Sequence, residues 1–238
     1  SNRHYLSLTQ YAGHSLWEKA DVVLAVGSRL QQPRMNWGTD DGLKIIHLDI
    51  DPVEIQRIGG ADVEIVGDAQ DIMPALVDAV GKKAPARESR REELETLEGS
   101  VHAMLEDKLG PQMSWIKVLR EGLDDDGIFV DELTQVGYVS RVAMPIYHPR
   151  TFLTSAYQGT LGCGLATAIG AKIAHPDRQV LSINGDGGFM YNVQELATAV
   201  KYNVPVVAVV FADGAFGNVR RMQQNLYDNR TIASDLTN

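Results

Sequence analysis

The sequence predicts an α/β protein built from two parallel-sheet units, and three observations carry that expectation. Short β-rich runs alternate with helical periodicity in both halves of the chain. A stretch rich in Lys, Arg, Pro and Glu from Lys82 to Arg91 reads as an exposed linker between the halves. The 238 residues, 44% of them hydrophobic, are enough for two cores.

Val22 to Val26, Ile45 to Leu48 and Val63 to Val66 read as strands, each followed by a polar turn. Asp51 and Pro52 open a helix as N-cap and first-turn proline; Ile55 and Ile58 give it a buried side, and Gly59 with Gly60 end it. This alternation predicts a Rossmann-like parallel sheet over residues 1–80. Leu94, Leu97, Val101, Met104 and Leu105 recur at helical intervals, so the linker is expected to lead into a surface helix, the two covering residues 81–110. A second unit, 111–238, starts near Pro111 with a helix carrying Trp115, Val118 and Leu119, then a strand from Ile128 to Val130. Leu165, Ile169 and Ile173 share one face of a later helix, whose alanines and Gly170 permit close packing against a sheet. Val180 to Ile183 and Val204 to Phe211 are expected strands, joined by a helix bearing Val193, Leu196, Ala197 and Val200. That is one βαβ unit, so the second sheet is also Rossmann-like and parallel.

Parallel strands bring their carboxyl ends to one edge of a sheet, so Asp186 and Asp213, each just beyond a strand, should converge although they are far apart in the chain. Two acids at that edge, beside Gly185, Gly187, Gly188, Gly214 and Gly217, suit a hard divalent cation holding a phosphate-bearing ligand. Taken alone, Gly-Asp-Gly is equally an ordinary turn, because glycine accepts positive φ and aspartate bonds its own backbone. No internal repeat and no phosphate-loop or dinucleotide fingerprint of the G-x-x-x-x-G-K-[ST] or G-x-G-x-x-G kind is present.

The string from Asn184 to Arg221, NGDGGFMYNVQELATAVKYNVPVVAVVFADGAFGNVRR, resembles the thiamine-diphosphate signature, and QELATAVKYNVP resembles the same segment of acetolactate-synthase-like enzymes. The upstream stretch Thr154 to Lys172 is similar to the same family, as are KADVVLAVGSRL and IIHLDIDPVEI in its central domain. The resemblance implies that the second unit is a thiamine-diphosphate-binding fold. It implies that Mg²⁺ is held by the carboxylates of Asp186 and Asp213 and by the carbonyl of Ala215, with diphosphate oxygens and a water completing the octahedron. The family usually has asparagine where this chain has Asp213, and the added charge should raise metal affinity while making coenzyme binding more dependent on metal. Backbone N–H groups around Gly187 and Gly188 would meet the diphosphate, with Gly185 and Gly217 shaping the same turns. Leu161 falls where the family wedges an apolar side chain beneath the bent coenzyme, and Gly159 would offer its carbonyl to the aminopyrimidine. Gln135 aligns with a glutamine near the diphosphate; a solvent-facing helix residue is the other reading, and Val136 stands where a histidine is common.

Read this way, the chain covers the carboxyl-terminal half of a central domain plus most of a diphosphate-binding domain cut short at its carboxyl end, about 40% of a subunit. The activating glutamate is expected in the pyrimidine-binding domain of a second subunit, so no catalytic residue is expected here and the chain alone should be inactive. The implied reaction makes or breaks a C–C bond next to a carbonyl, first of all an acetolactate-synthase-like condensation of 2-keto acids. A benzaldehyde-lyase-like or oxalyl-CoA-decarboxylase-like lyase acting on a 2-keto acid or aldehyde is the next reading. A rival of another class is a nucleotide-binding or structural α/β module without thiamine chemistry. Some relatives hold FAD or an adenine nucleotide in the central domain, where Gly27 and Arg29 would lie, but a tight turn needs glycine anyway and FAD is not expected.

A net charge of −9 argues against nucleic-acid binding, and no apolar stretch long enough for a membrane span or amino-terminal signal is seen, so no membrane partner is expected. Cys163 is the only cysteine, which excludes an intrachain disulfide and suits a reducing, cytoplasmic setting. The six histidines lack metal-ligand spacing, and His102 and His148 read as surface residues. A homodimer or homotetramer is expected of the whole protein.

Overall fold

The computed structural model describes residues 1–85, 87–155 and 158–236. β-Branched runs form most strands where the periodicity predicts them, though the last begins at Val207 rather than Val204 and Phe152–Leu153 adds one not expected, and the chain divides into two compact units, Gln10–Leu97 and Ser1–Thr9 with Glu98–Asn238.

In the Gln10–Leu97 unit, helix α1 (Gln10–Trp17) precedes strand β1 (Val22–Val26), a single π-type turn (Pro33–Trp37), β2 (Lys44–Asp49), helix α2 (Pro52–Gln56), β3 (Val63–Val66) and α3 (Ala69–Lys83). The sheet is parallel in the order β1-β2-β3, with Leu24 beside Ile46 and Leu48 beside Ile65. Asp51 caps α2 as its sequence suggests, accepting a 2.9 Å bond from the Val53 amide. Ala25, Leu30, Leu43 and Ile45 form the core, with Trp17 and Val23 against it.

Helix α3 corrects the reading of residues 82–91 as linker from the start, since it runs through Lys82 and Lys83. None of its residues is fully buried, but Ala69, Ile72, Met73 and Leu76 form a half-buried stripe at helical spacing, with Pro74 inside it. Asp68 starts it by accepting the Gln70 amide at 2.7 Å. Helix α4 (Arg91–Glu121) joins the two helices expected on either side of residue 110. They meet at Leu109 (φ −132°, ψ 31°), two residues before Pro111, whose missing N–H leaves the ladder open.

The rest of the chain adds β4 (Ile128–Val130), α5 (Gln135–Ala143), β5 (Phe152–Leu153), α6 (Cys163–Ala174), β6 (Val180–Gly185), α7 (Asp186–Tyr191), α8 (Glu195–Lys201), β7 (Val207–Phe211) and α9 (Gly217–Leu226). Their sheet is parallel throughout, in the order β5-β4-β6-β7. Strands β4 and β6 are buried along almost their whole length, as central parallel strands covered on both faces must be. Ile128, Val130, Ala168 and Val180 pack on one another, while Leu165, Ile169 and Ala199 form a second cluster. Each large side chain removed from water here contributes about 1.5–3 kcal/mol.

Two facings differ from those expected. Ile173 is 62% exposed, because α6 ends one residue later and only Leu165 and Ile169 reach the core. On α8 it is Ala199 that packs inward, while Leu196 and Val200 are exposed. Gly170 is no point of close approach, since a methyl group there would meet nothing within 4 Å; the crowded glycine of α6 is Gly164.

Candidate functional site

Register places the two acidic turns together. Gly185 pairs with Phe211 across β6 and β7, so Asp186 leaves the sheet beside the residue preceding Asp213. Asp186 Oδ2 accepts the Gly214 amide at 2.8 Å, and Asp213 Oδ1 accepts the Ala215 amide at 3.2 Å. Both carboxylates therefore hold consecutive amides of one turn. Gly214 gives that turn its shape, with φ at 68°.

The glycines around the turn leave room rather than merely bend the chain. A methyl group on Gly217 would lie 2.9 Å from Asp213 Oδ2, and one on Gly187 would lie 2.6 Å from the Phe216 ring. A cleft of about 500 Å³ opens here, lined by Asp186, Gly187, Met190, Tyr191, Gly214 and Phe216, with Leu236 at its side. The segment carrying Leu236 pairs with the turn: Phe216 donates its amide to the Ser234 carbonyl, and Leu236 donates its own to the Gly214 carbonyl, both at 2.8 Å. Arg220 and Asp235 add an ion pair.

The other expected site residues are arranged around this cleft, not on it. Gly159 has φ at 59° and lies near Leu133, and Leu161 is half-buried in the turn before α6; neither lines the cleft. Ala156 and Tyr157, within the stretch from Thr154 to Lys172, lie outside the described residues. Gln135 is exposed at the start of α5 and accepts a bond from Gln112, and its Nε2 would lie 3.9 Å from a methyl group on Gly217. Gln135 thus faces solvent and also borders the acidic turn. Val136 is buried, 4% exposed. The Gly187 amide donates to Asp186 Oδ1 at 2.9 Å.

The sequence reading missed Glu132. It follows β4, is 1% exposed, and accepts the Gly162 amide at 2.7 Å and the Gly164 amide at 3.0 Å. Burial pushes its carboxyl above the ordinary glutamate range; the two amides pull it down, and the neighbouring Asp131 pushes it further up. Its predecessor Asp131 is fully buried and is held by Arg141 Nε at 2.6 Å, while Arg141 also donates to Ser155. Two acids directly after a buried strand of this sheet were the available signal. Cys163, beside this cluster, has its thiol pushed up by burial and then by Glu132, so it is not a ready nucleophile.

Asp186, Asp213 and the Ala215 carbonyl are hard oxygen donors on adjacent turns, a set that fits a small divalent cation better than a soft one. Among the described residues no cluster of three His, Cys, Asp or Glu side chains forms an alternative metal site. In the Gln10–Leu97 unit, Gly27 has φ at 55°, which explains the glycine by backbone shape alone, and the Arg29 guanidinium is engaged by Glu54 at 3.1 Å. No helix among the described residues is long and apolar enough to cross a membrane.

An all-parallel sheet with two acids on neighbouring turns at its carboxyl edge defines an α/β protein built to hold a ligand at that edge. Comparison with known proteins makes this specific. Residues 134–238 match the thiamine pyrophosphate enzyme C-terminal TPP binding domain, and residues 2–76 match the central domain of thiamine pyrophosphate enzymes. The chain belongs to the thiamine pyrophosphate enzyme family. It is 34% identical to a probable acetolactate synthase large subunit of Methanococcus aeolicus over 93% of its own length and 40% of that protein's. It is 31% identical to the acetolactate synthase isozyme 1 large subunit of Escherichia coli over 97% of its length and 42% of the other's. With the acetolactate synthase large subunit of Corynebacterium glutamicum the identity is 32%, over 93% and 37%. The chain thus spans about two fifths of the length of these relatives.

Proposed function

We propose that this chain holds thiamine diphosphate through Mg²⁺ at the turn where Asp186 and Asp213 meet, as part of an enzyme that condenses 2-keto acids in the manner of acetolactate synthase. The observation that carries the reading is the pair of carboxylates on the Gly214 and Ala215 amides, which leaves their remaining lone pairs and the Ala215 carbonyl for one cation. Asp186 and Asp213 orient the metal, the Gly187 and Gly188 backbone borders the diphosphate, and Gly159 and Leu161 bound the pyrimidine side. Gly185 and Gly217 keep side chains out of the two turns, and Gln135 stands at the outer border.

The coenzyme supplies the carbanion chemistry next to a carbonyl, while the protein supplies position. Met190, Tyr191, Phe216 and Leu236 give the cleft an apolar wall. The relatives' names as large subunits support a multi-subunit enzyme, and a pyrimidine-binding domain from a second subunit would supply the activating glutamate. On this reading the 238-residue chain alone does not turn over. FAD has no part in the proposal.

The test is calorimetric titration of the whole protein with thiamine diphosphate, with and without Mg²⁺. Binding should require metal, fall at least about 100-fold in Asp186→Ala, and become less metal-dependent in Asp213→Asn. Metal-independent binding, or Asp186→Ala binding like the parent, overturns the proposal.

A further inference from the structure

We infer that Glu132 is a positioning residue that, together with Asn192, braces the turn Gly159–Gly162 against the turn Gly185–Gly188 and so fixes the distance between the two ends of the coenzyme site. The inference rests on the functional reading above and adds to it a residue that touches no ligand. Glu132 makes one bond with each oxygen, to the Gly162 and Gly164 amides, so it grips the entrance to α6 in a two-pronged hold. Asn192, at the end of α7, donates to the Gly162 carbonyl at 2.7 Å, so the same residue is tied from both sides.

The surroundings are cut to fit this carboxylate. A methyl group on Gly188 would lie 1.8 Å from Glu132 Oε1, and one on Gly164 would lie 2.8 Å from Oε2 and 2.4 Å from Asn184 Oδ1. A third, on Gly137, would lie 2.0 Å from the Glu132 carbonyl oxygen. Glycines from α6 and α7 thus close on the side chain, which is 1% exposed, and one from α5 closes on its backbone. Ordinary packing would fill such a space with an aliphatic group. A carboxylate there faces desolvation, offset only because both of its oxygens meet N–H donors.

Glutamine has the same shape but only one acceptor for two amides, and its NH₂ would face the other N–H with no water to accept it. Glu132→Gln therefore frees one prong while leaving the volume filled. The whole protein is titrated with Mg²⁺–thiamine diphosphate, which must reach both turns, and separately with Mg²⁺–inorganic pyrophosphate, which reaches only the Gly185–Gly188 turn. Thermal melting without ligand is recorded alongside.

Glu132→Gln should weaken thiamine diphosphate at least tenfold while changing pyrophosphate less than twofold, and Asn192→Ala should shift the same ratio in the same direction by a smaller factor. Should Glu132→Gln not fold, Asn192→Ala decides alone. Equal loss of both ligands, or no loss of either, overturns the brace and leaves the metal site standing. A parent protein that binds neither ligand overturns the functional reading and the brace with it.

Discussion

The two parallel sheets differ in how deeply the acids after their strands are set. After β4 the acids are inside: Asp131 and Glu132 are 0% and 1% exposed, and Gly164 and Gly188 leave space for the Glu132 side chain. After β2 and β3 Asp51 and Asp68 are exposed, while Asp49 and Glu54 are half-buried, and Val22, Val63 and Val66 on the strands themselves are 53%, 49% and 56% exposed. The Glu132 carboxyl is pushed up by burial, whereas those of Asp62, Glu54 and Glu93 are held down, by the Ile45 amide and by Arg57 and Arg90 respectively. The lesson is that one topology yields a site where two carboxylates are confined by their neighbours, and a second unit whose one fully buried polar side chain among the described residues is His47, 1% exposed.

The sharpest way to break this contrast is by adding a single methyl group. Gly137→Ala puts carbon 2.0 Å from a backbone oxygen and should cost about 3 kcal/mol or more, or prevent folding. Gly81→Ala, inside α3 with nothing within 4 Å, should instead stabilise by up to about 1 kcal/mol. Urea titrations of the two variants compare them directly, and similar costs would erase the distinction.

Next in size are the ion pairs. Asp131→Ala leaves Arg141 without its buried partner and should cost about 3 kcal/mol, the lower end for a broken pair because the Arg141 side chain is 30% exposed. Lys44→Ala removes a solvated partner of Asp62 and should produce a small change that added salt abolishes. A large, salt-resistant loss from Lys44→Ala counts against the comparison.

The smallest effect is in pH, and its sign differs between regions. Glu132 has a raised value when folded, so its contribution is fully present below the ordinary glutamate value and declines as pH rises through the raised one. Asp62 has a lowered value, so its contribution is present above the ordinary aspartate value and is lost as pH falls through the lowered one. Stability-versus-pH curves for Glu132→Gln and Asp62→Asn should flatten at opposite ends, the first on the rising side and the second on the falling side. Flattening at the same end contradicts the assignment.

Legibility in the sequence follows the same division. Strands Val22–Val26, Val63–Val66 and Ile128–Val130 stand as read, because short runs bounded by polar turns carry their own boundaries. The meeting of Asp186 and Asp213 was also legible, since it needs only two parallel strands with acids after them. Glu132 was not, because its partners are backbone amides 30 and 32 residues away, which leave no side-chain pattern. Gly170 was mistaken for the close-approach glycine of α6 for the same reason: spacing along a helix identifies a face, while contact depends on what another element brings to it. Helix α3 escaped although Ile72, Met73 and Leu76 have helical spacing, because Pro74 interrupts the run.

The short antiparallel pairing between residues 234–236 and the acidic turn gives the molecule its own gauge. The amide protons of Phe216 and Leu236 are shielded only while those few residues stay joined, so their replacement by deuterium counts how often the clasp opens. Occupancy next to Asp186 becomes readable in two backbone signals, without any dye or attached label.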